Sequence, residues 1–211
     1  YDSASGFDVS TASYSQSFSI SAQETSPTGL AFNTDGTKMF VIGISGDDVN
    51  EYTLSTGFDL SSIVTFVDSF AVTQCPNPTA VKFNADGTKM FVTGPNNDNV
   101  HQYALTTGFD VSSATFNQDL TLTAIDTEPF GIEWSTDGTR LFIVGTRGNG
   151  VDEFAVGTPY DISTLTHIGF YSIGGNPSGI HISPDGTKMF IIGNQSDTVK
   201  SYDLSVSYRI K

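Results

Sequence analysis

The chain has 211 residues and a single cysteine, and its 23 acidic residues outnumber the 9 basic ones to give a net charge of −14. One cysteine excludes an internal disulfide and a cysteine-based zinc site. The acidic excess disfavours nucleic acid and anionic lipid as partners. No apolar run approaches the ~18 residues of a membrane-spanning helix, so we expect no membrane insertion. The length suits one domain with a proper core.

A repeat of about 51 residues runs through the chain. The tripeptide Asp-Gly-Thr occurs four times, and an aromatic residue followed by Asp recurs in register with it. The tripeptides begin at Asp35, Asp86, Asp137 and Asp185, and the aromatic residues are Phe7, Phe58, Phe109 and Tyr160. Because periods of 20 to 50 residues are typical of repeat folds, we divide the chain into repeats at 7–57, 58–108, 109–159 and 160–207.

Each repeat is predicted to form four short strands. In the first repeat, residues 29–33 alternate apolar and polar, and residues 39–42 are apolar on both faces. Residues 49–54 form the third strand, and the fourth starts at residue 63, after the corner at residues 57–59 where the next repeat begins. The intervening Asp-Gly is a strong signal for a tight turn, which we favour over a calcium loop because further oxygen ligands are missing.

Four such repeats predict an all-β, four-bladed β-propeller of four-stranded antiparallel blades in one domain, residues 1–211. The chain opens at the corner before a fourth strand and finishes where the next such corner would fall. We therefore expect an N-terminal strand, residues 13–22, to pair with the C-terminal blade and close the ring. Two chains could instead exchange end strands into an eight-bladed ring, but we favour the monomer.

The motif Phe-Asn-x-Asp-Gly-Thr-Lys-Met-Phe-Val, at residues 32–41 and 83–92, resembles a propeller repeat of marine bacterial and bacteriophage proteins. It is followed at residues 49–59 by Val-x-x-Tyr-x-Leu-Ser-Thr-Gly-Phe-Asp, and the whole is distantly similar to YVTN and lactonase-like propellers. The resemblance implies the fold and an extracellular or virion-associated setting. It does not imply a defined activity.

Two sets of residues differ between the repeats and are candidates for binding. The first set lies in the loops of one face and is polar, as groups that hydrogen-bond sugars or hold calcium would be. It comprises Glu24, Asp47, Asn77, Asn97, Asp98, Glu128, Arg147, Asn149, Asn176, Asn194 and Asp197. The second occupies one equivalent position on the innermost strand, where Ala31 is replaced by Lys82, Glu133 and His181. A closed ring would gather these near its axis, where charges must pair or meet water or an ion.

No catalytic constellation is evident. The three histidines share no metal-ligand spacing, and no nucleophile elbow, phosphate loop or dinucleotide motif occurs. The sequence therefore favours a non-catalytic binding or scaffold module, not an enzyme, that recognises a glycan or protein surface through its loop face. No cofactor is expected, with calcium and any other metal left open. The alternatives are a lactonase-like metal-dependent hydrolase with an axial site, and a structural repeat without a ligand.

Overall fold

The computed structural model describes residues 2–3, 10, 12–125, 128–195 and 197–210, and it is an all-β, four-bladed β-propeller. Each blade is an antiparallel sheet whose strands follow one another in chain order. Within the described residues, the helical structure consists of isolated single turns such as Val111–Ser113 and Ile162–Thr164. The predicted fold class is therefore confirmed.

The strands are numbered in chain order, and each blade runs from its innermost to its outermost strand. A separate pair of two-residue strands, β1 (Asp2–Ser3) and β2 (Ala12–Ser13), precedes the blades. The first blade contains β3 (Pro27–Phe32), β4 (Lys38–Gly43), β5 (Asp48–Leu54) and β6 (Val64–Ala71). The second contains β7 (Ala80–Phe83), β8 (Lys89–Gly94), β9 (Asn99–Leu105) and β10 (Ala114–Thr121). The third contains β11 (Pro129–Trp134), β12 (Arg140–Gly145), β13 (Gly150–Val156) and β14 (Leu165–Ser172). The fourth contains β15 (Pro177–Ile182), β16 (Lys188–Gly193) and β17 (Val199–Asp203).

The two sequence markers of the repeat meet in space. Gly36 has a φ of 73°, and its carbonyl accepts the backbone N–H of Phe58 at 3.0 Å. A Cβ built on Gly36 would lie 2.3 Å from the Phe58 ring, so both the positive φ and the close approach require glycine. Asp35 Oδ1 accepts the backbone N–H and the hydroxyl of Thr37, which fixes the turn. The same arrangement recurs in the other repeats, while the Phe7-Asp8 corner lies outside the described residues.

Apolar side chains between neighbouring blades form the core. Phe40, Ile42 and Val49 of the first blade pack with Met90 and Tyr103 of the second. Corresponding clusters join the second blade to the third and the third to the fourth. The middle strands of the first three blades are therefore buried on both faces, which explains their continuous apolar sequences.

Among the described residues, the predicted pairing of residues 13–22 with the C-terminal blade is not seen. The fourth blade has three strands there, and residues 14–20 belong to no strand. This segment packs on the first blade instead, where Phe18 contacts Tyr52 and Ile20 joins the cluster around Val41.

Among the described residues, no helix has the length and apolarity needed to cross a membrane.

Replacing Ile143 with Ala should lower the free energy of unfolding by about 2–5 kcal/mol, because the side chain is fully buried between two blades and its loss leaves a cavity. Urea denaturation followed by fluorescence would measure this change. The control is Val67→Ala, since Val67 lies on an outermost strand and is half exposed. Equal effects of the two substitutions would contradict this account of the core.

Candidate functional site

The innermost strands of all four blades line one cavity of about 340 Å³. Its wall is mainly apolar and includes Val81, Ile132 and Ile180 at equivalent positions of three blades. Two ionisable side chains, Lys82 and His181, also line it. An apolar cavity with a few convergent polar groups is the usual form of a small-molecule site.

Glycine allows the inner strands to come close together beside this cavity. A Cβ built on Gly131 would lie 2.8 Å from Val144 Cγ2 and 3.2 Å from the Cα of Gly179 in the fourth blade. The third and fourth blades can therefore approach only because the side chain is absent. This approach brings His181 of one strand within reach of Glu133 on the next.

Lys82, Glu133 and His181 form a hydrogen-bonded group, which we call the axial cluster. Glu133 Oε2 accepts a hydrogen bond from Lys82 Nζ at 2.9 Å and lies 3.0 Å from His181 Nδ1. Glu133 Oε1 accepts the backbone N–H of Trp134 at 3.2 Å. Glu133 is buried and does not line the cavity, whereas the side chain of His181 is half exposed. The carboxylate therefore stands behind two groups that face the cavity.

The environment of Glu133 favours its ionised form. Burial alone would raise the pKa of this carboxyl group, but the hydrogen bond with His181 and the charge of Lys82 outweigh it, so that the net pKa is lowered. A carboxylate held ionised beside His181 favours the ring tautomer that carries its hydrogen on Nδ1 and donates it to Glu133.

The structure thus brings together three of the four predicted axial positions, including the expected Lys82–Glu133 ion pair. The fourth, Ala31, packs against the core shared by the first two blades. The sequence did not reveal the apolar cavity wall, which includes Phe130 and Phe190. Both residues belong to the general apolar pattern of the strands, and their place at the cavity depends on how the blades are set.

Three of the predicted loop residues hold the next blade in place. The side chains of Asp47, Asp98 and Asn149 each accept a backbone N–H from the entry loop of the following blade. Their donors, in the same order, are Asn77, Glu128 and Asn176, at 2.9, 3.1 and 3.0 Å. All six residues have a positive φ, as do the tight turns of the repeat. Their side-chain oxygens and backbone conformations serve the junction between blades.

The other predicted loop residues do not converge on one point. Glu24 is buried, and its carboxylate accepts the backbone N–H groups of Ser26, Ser45 and Gly46. Asn97 donates to the carbonyl of Gln74 at 2.5 Å and lies 2.9 Å from His101 Nε2.

Glu128 pairs with Arg147 at 3.2 Å on the surface, where both side chains are exposed. Asn194 and Asp197 are exposed residues of the fourth blade. Their role in binding stays a prediction.

A metal centre does not fit the axial cluster. Across the residues that the structure describes, no three His, Cys, Asp or Glu side chains come together as metal ligands would. The ammonium of Lys82 already occupies the side of Glu133 Oε2 that a cation would approach. We therefore derive no chemistry through a metal.

Comparisons with known proteins identify the fold. No protein-family model and no curated protein sequence matches the chain. Among solved structures it is similar to a candidate 6-phosphogluconolactonase from Bacteroides uniformis, at 19% identity and a TM-score of 0.62 over 86% of this chain and 51% of the other. It is similar to the periplasmic gluconolactonase of Pseudomonas aeruginosa, at 19% identity and a TM-score of 0.55 over 82% of this chain and 48% of the other. It is also similar to a β-propeller domain from Myceliophteria thermophila, at 8% identity and a TM-score of 0.56 over 85% of this chain and 54% of the other.

These likenesses establish the propeller fold, and the chain spans about half the length of the structures that it matches. They also correct the sequence-based view of function. The expectation of a non-catalytic module, not an enzyme, is contradicted because neighbours of this chain are named as lactonases. The cavity and the His181–Glu133 contact arise only from the placement of separate blades, so neither could be seen in the sequence.

Replacing Lys82 with Met should raise the pKa of Glu133, because the substitution removes a lowering charge while the carboxyl group stays buried. Carbon-detected NMR titration of the Glu133 carboxyl group would measure the change. Arg147→Met is the control, since Arg147 pairs with Glu128. In the native chain the lowered pKa contributes stability that is present above the unfolded pKa of about 4.3 and is lost as the pH falls through the folded value. A Glu133 pKa that is the same in both variants would show that Lys82 does not act on it.

Cys75 should react slowly with thiol reagents in the native protein. Its side chain is fully buried, and burial, with a smaller contribution from Asp47, raises the pKa of the thiol to about 12. Since the thiolate is the reactive form, labelling should become fast only after unfolding in urea. Mass spectrometry of iodoacetamide-treated samples would measure this, and rapid native labelling at pH 8 would contradict it.

Proposed function

We propose that the chain is a hydrolase of lactones or related small cyclic esters, with the axial cluster as its active site. The observation that carries the proposal is the pair of contacts at Glu133 Oε2, which holds Lys82 and His181 together in the wall of the cavity. The lactonase names of the structural neighbours support the same reaction class. The cavity volume of about 340 Å³ suits a small molecule.

In this proposal His181 activates water. Glu133 accepts from Nδ1 and orients the ring, as a buried carboxylate orients the catalytic imidazole of other acyl hydrolases. Nε2 then removes a proton from water while the oxygen adds to the carbonyl carbon of the lactone. The protonated imidazole returns its proton to the ring oxygen as the carbon–oxygen bond breaks. The product is the open hydroxy acid.

Lys82 supplies the positive charge. Its ammonium lies beside the cavity and can stabilise the oxyanion that forms when water adds to the carbonyl group. It can also attract an anionic group elsewhere on the substrate, such as a phosphate. The ammonium of Lys82 pairs with Glu133 at 2.9 Å, and neither role needs a metal ion.

The location of the protein is a separate proposal that rests on its sequence. The repeat motif resembles those of marine bacterial and bacteriophage proteins, which supports an extracellular or virion-associated location. Calcium at the loop face is likewise an open proposal, with Glu128 and Asp197 as exposed acidic groups there. Neither bears on the hydrolase chemistry, which uses the opposite set of varied residues.

Purified protein should hydrolyse glucono-δ-lactone faster than buffer does, and His181→Gln should lower kcat/KM by about 10²- to 10⁴-fold, the usual contribution of a general base. Proton release followed with a pH indicator, corrected for spontaneous hydrolysis, would measure both rates. His167→Gln is the matched control, because His167 pairs with Asp152 on the outer strands of the third blade. Dialysis against EDTA should leave the rate unchanged.

Two results would overturn the proposal. One is the absence of hydrolysis above background for phosphorylated and unphosphorylated δ-lactones alike. The other is equal activity of the two histidine variants. Circular dichroism of each variant would establish that it is folded before its rate is interpreted.

A further inference from the structure

We call the packed boundary between two neighbouring blades a seam. The boundary between the fourth blade and the first differs from the three seams inside the chain. Inside the chain, the innermost strand of each following blade buries an apolar residue against the blade before it: Val81 and Ile132 are both 1% exposed. The equivalent residue of the first blade, Leu30, is 56% exposed. The corner residue Phe58 is also exposed, whereas its equivalents Phe109 and Tyr160 are partly buried.

The fourth blade shows the opposite half of the same contact. Its Ile192 is 50% exposed and its Val199 is 57% exposed. The residues at these positions in the third blade, Val144 and Val151, are both fully buried against the fourth. Among the described residues, the first and fourth blades thus each carry an exposed apolar face, which we call the first-blade face (Leu30, Phe58) and the fourth-blade face (Ile192, Val199).

The N-terminal segment already occupies the place of a preceding blade's outermost strand. Gln16 donates to Asp59 at 2.8 Å, as Gln118 of the outermost strand β10 donates to Asp161 at 3.0 Å. The spacing is 43 residues in both cases. Residues 14–20 therefore lie on the first blade as β10 lies against the third repeat, but no inner strands accompany them.

The fourth blade lacks that same strand. It has three strands in the described residues, so the outer edge of β17 carries no partner there. Unpaired strand edges attract further strands. Residues 14–20 thus occupy the place of an outermost strand without the rest of that blade, and the fourth blade lacks its outermost strand among the described residues.

We propose that two copies of the chain join head to tail into one closed ring of eight blades. The fourth-blade face of each copy packs on the first-blade face of the other, and residues 14–20 of each complete the other's fourth blade. A second copy is the occupant that fits, because it carries both complementary halves of a contact that the chain itself uses at every internal seam. Two such contacts related by a two-fold axis close, so no face is left exposed.

One polar contact follows from the repeat. Lys38 donates to the carbonyl of Phe109 at 2.6 Å, and Lys89 donates to that of Tyr160 at 2.9 Å, each across a seam. The equivalent Lys188 is half exposed and bonds Asp203 of its own blade. In the ring its acceptor is the carbonyl of Phe58 in the second copy. The proposed assembly differs from the monomer that the sequence favoured, and it would enclose the cavity, whose wall includes Leu30 and Ile192.

Light scattering of the purified chain at about 20 µM should give twice the 22.5 kDa mass of one chain. Leu30→Glu and Val199→Glu should each reduce the mass to that of a single chain, because each places a charge in both seams of a ring. Mixing the two variants should restore a 1:1 pair, since one seam of the mixed pair contains only native faces. Ile168→Glu, on the outermost strand of the third blade, is the control and should leave the native mass unchanged.

Three outcomes would overturn the ring. A native chain that stays single at 20 µM would show that the faces do not bind each other. A ladder of larger species would show that the contact does not close. A pair that survives in both single variants would show that another surface joins the copies. Mass is read without substrate, so the result is independent of the hydrolase proposal.

Discussion

The packing of each blade's apolar face on the next blade is the interaction on which the rest of this structure depends. It forms the core, because the middle strands are buried between blades rather than within one sheet. It also sets the distance between inner strands, which the absence of a side chain at Gly131 allows to be short. The axial cluster exists only because this packing brings Lys82, Glu133 and His181 from three separate strands to one place.

The fold could be predicted from the sequence because its local signals are strong and repeated. The Asp-Gly-Thr turn and the aromatic corner are separate motifs, yet they are in register because Gly36 and Phe58 touch. The axial positions were also predictable, since Lys82, Glu133 and His181 depart from an otherwise constant pattern. Their chemistry was not, because a lone histidine indicates little until a carboxylate is seen 3.0 Å from its ring.

The relation between the first and fourth blades could not be predicted from the sequence, for a physical reason. A repeat motif describes one blade and its neighbour, but the angle between blades is a small rotation spread over many side chains. The exposure of Leu30 and Val199 becomes visible only when the blades are placed in space.

Each sequence repeat after the first begins at the corner before an outermost strand, so that it contains the last strand of one blade and the first three strands of the next. This displacement has a consequence for how such proteins evolve. Every internal seam uses the same contacts, and each 51-residue unit carries half of the seam on either side. A gene duplication that adds or removes whole units therefore creates no new kind of contact and disturbs no existing one. Chains of different lengths can then inherit the same blade, provided that the units from all copies together complete one circle.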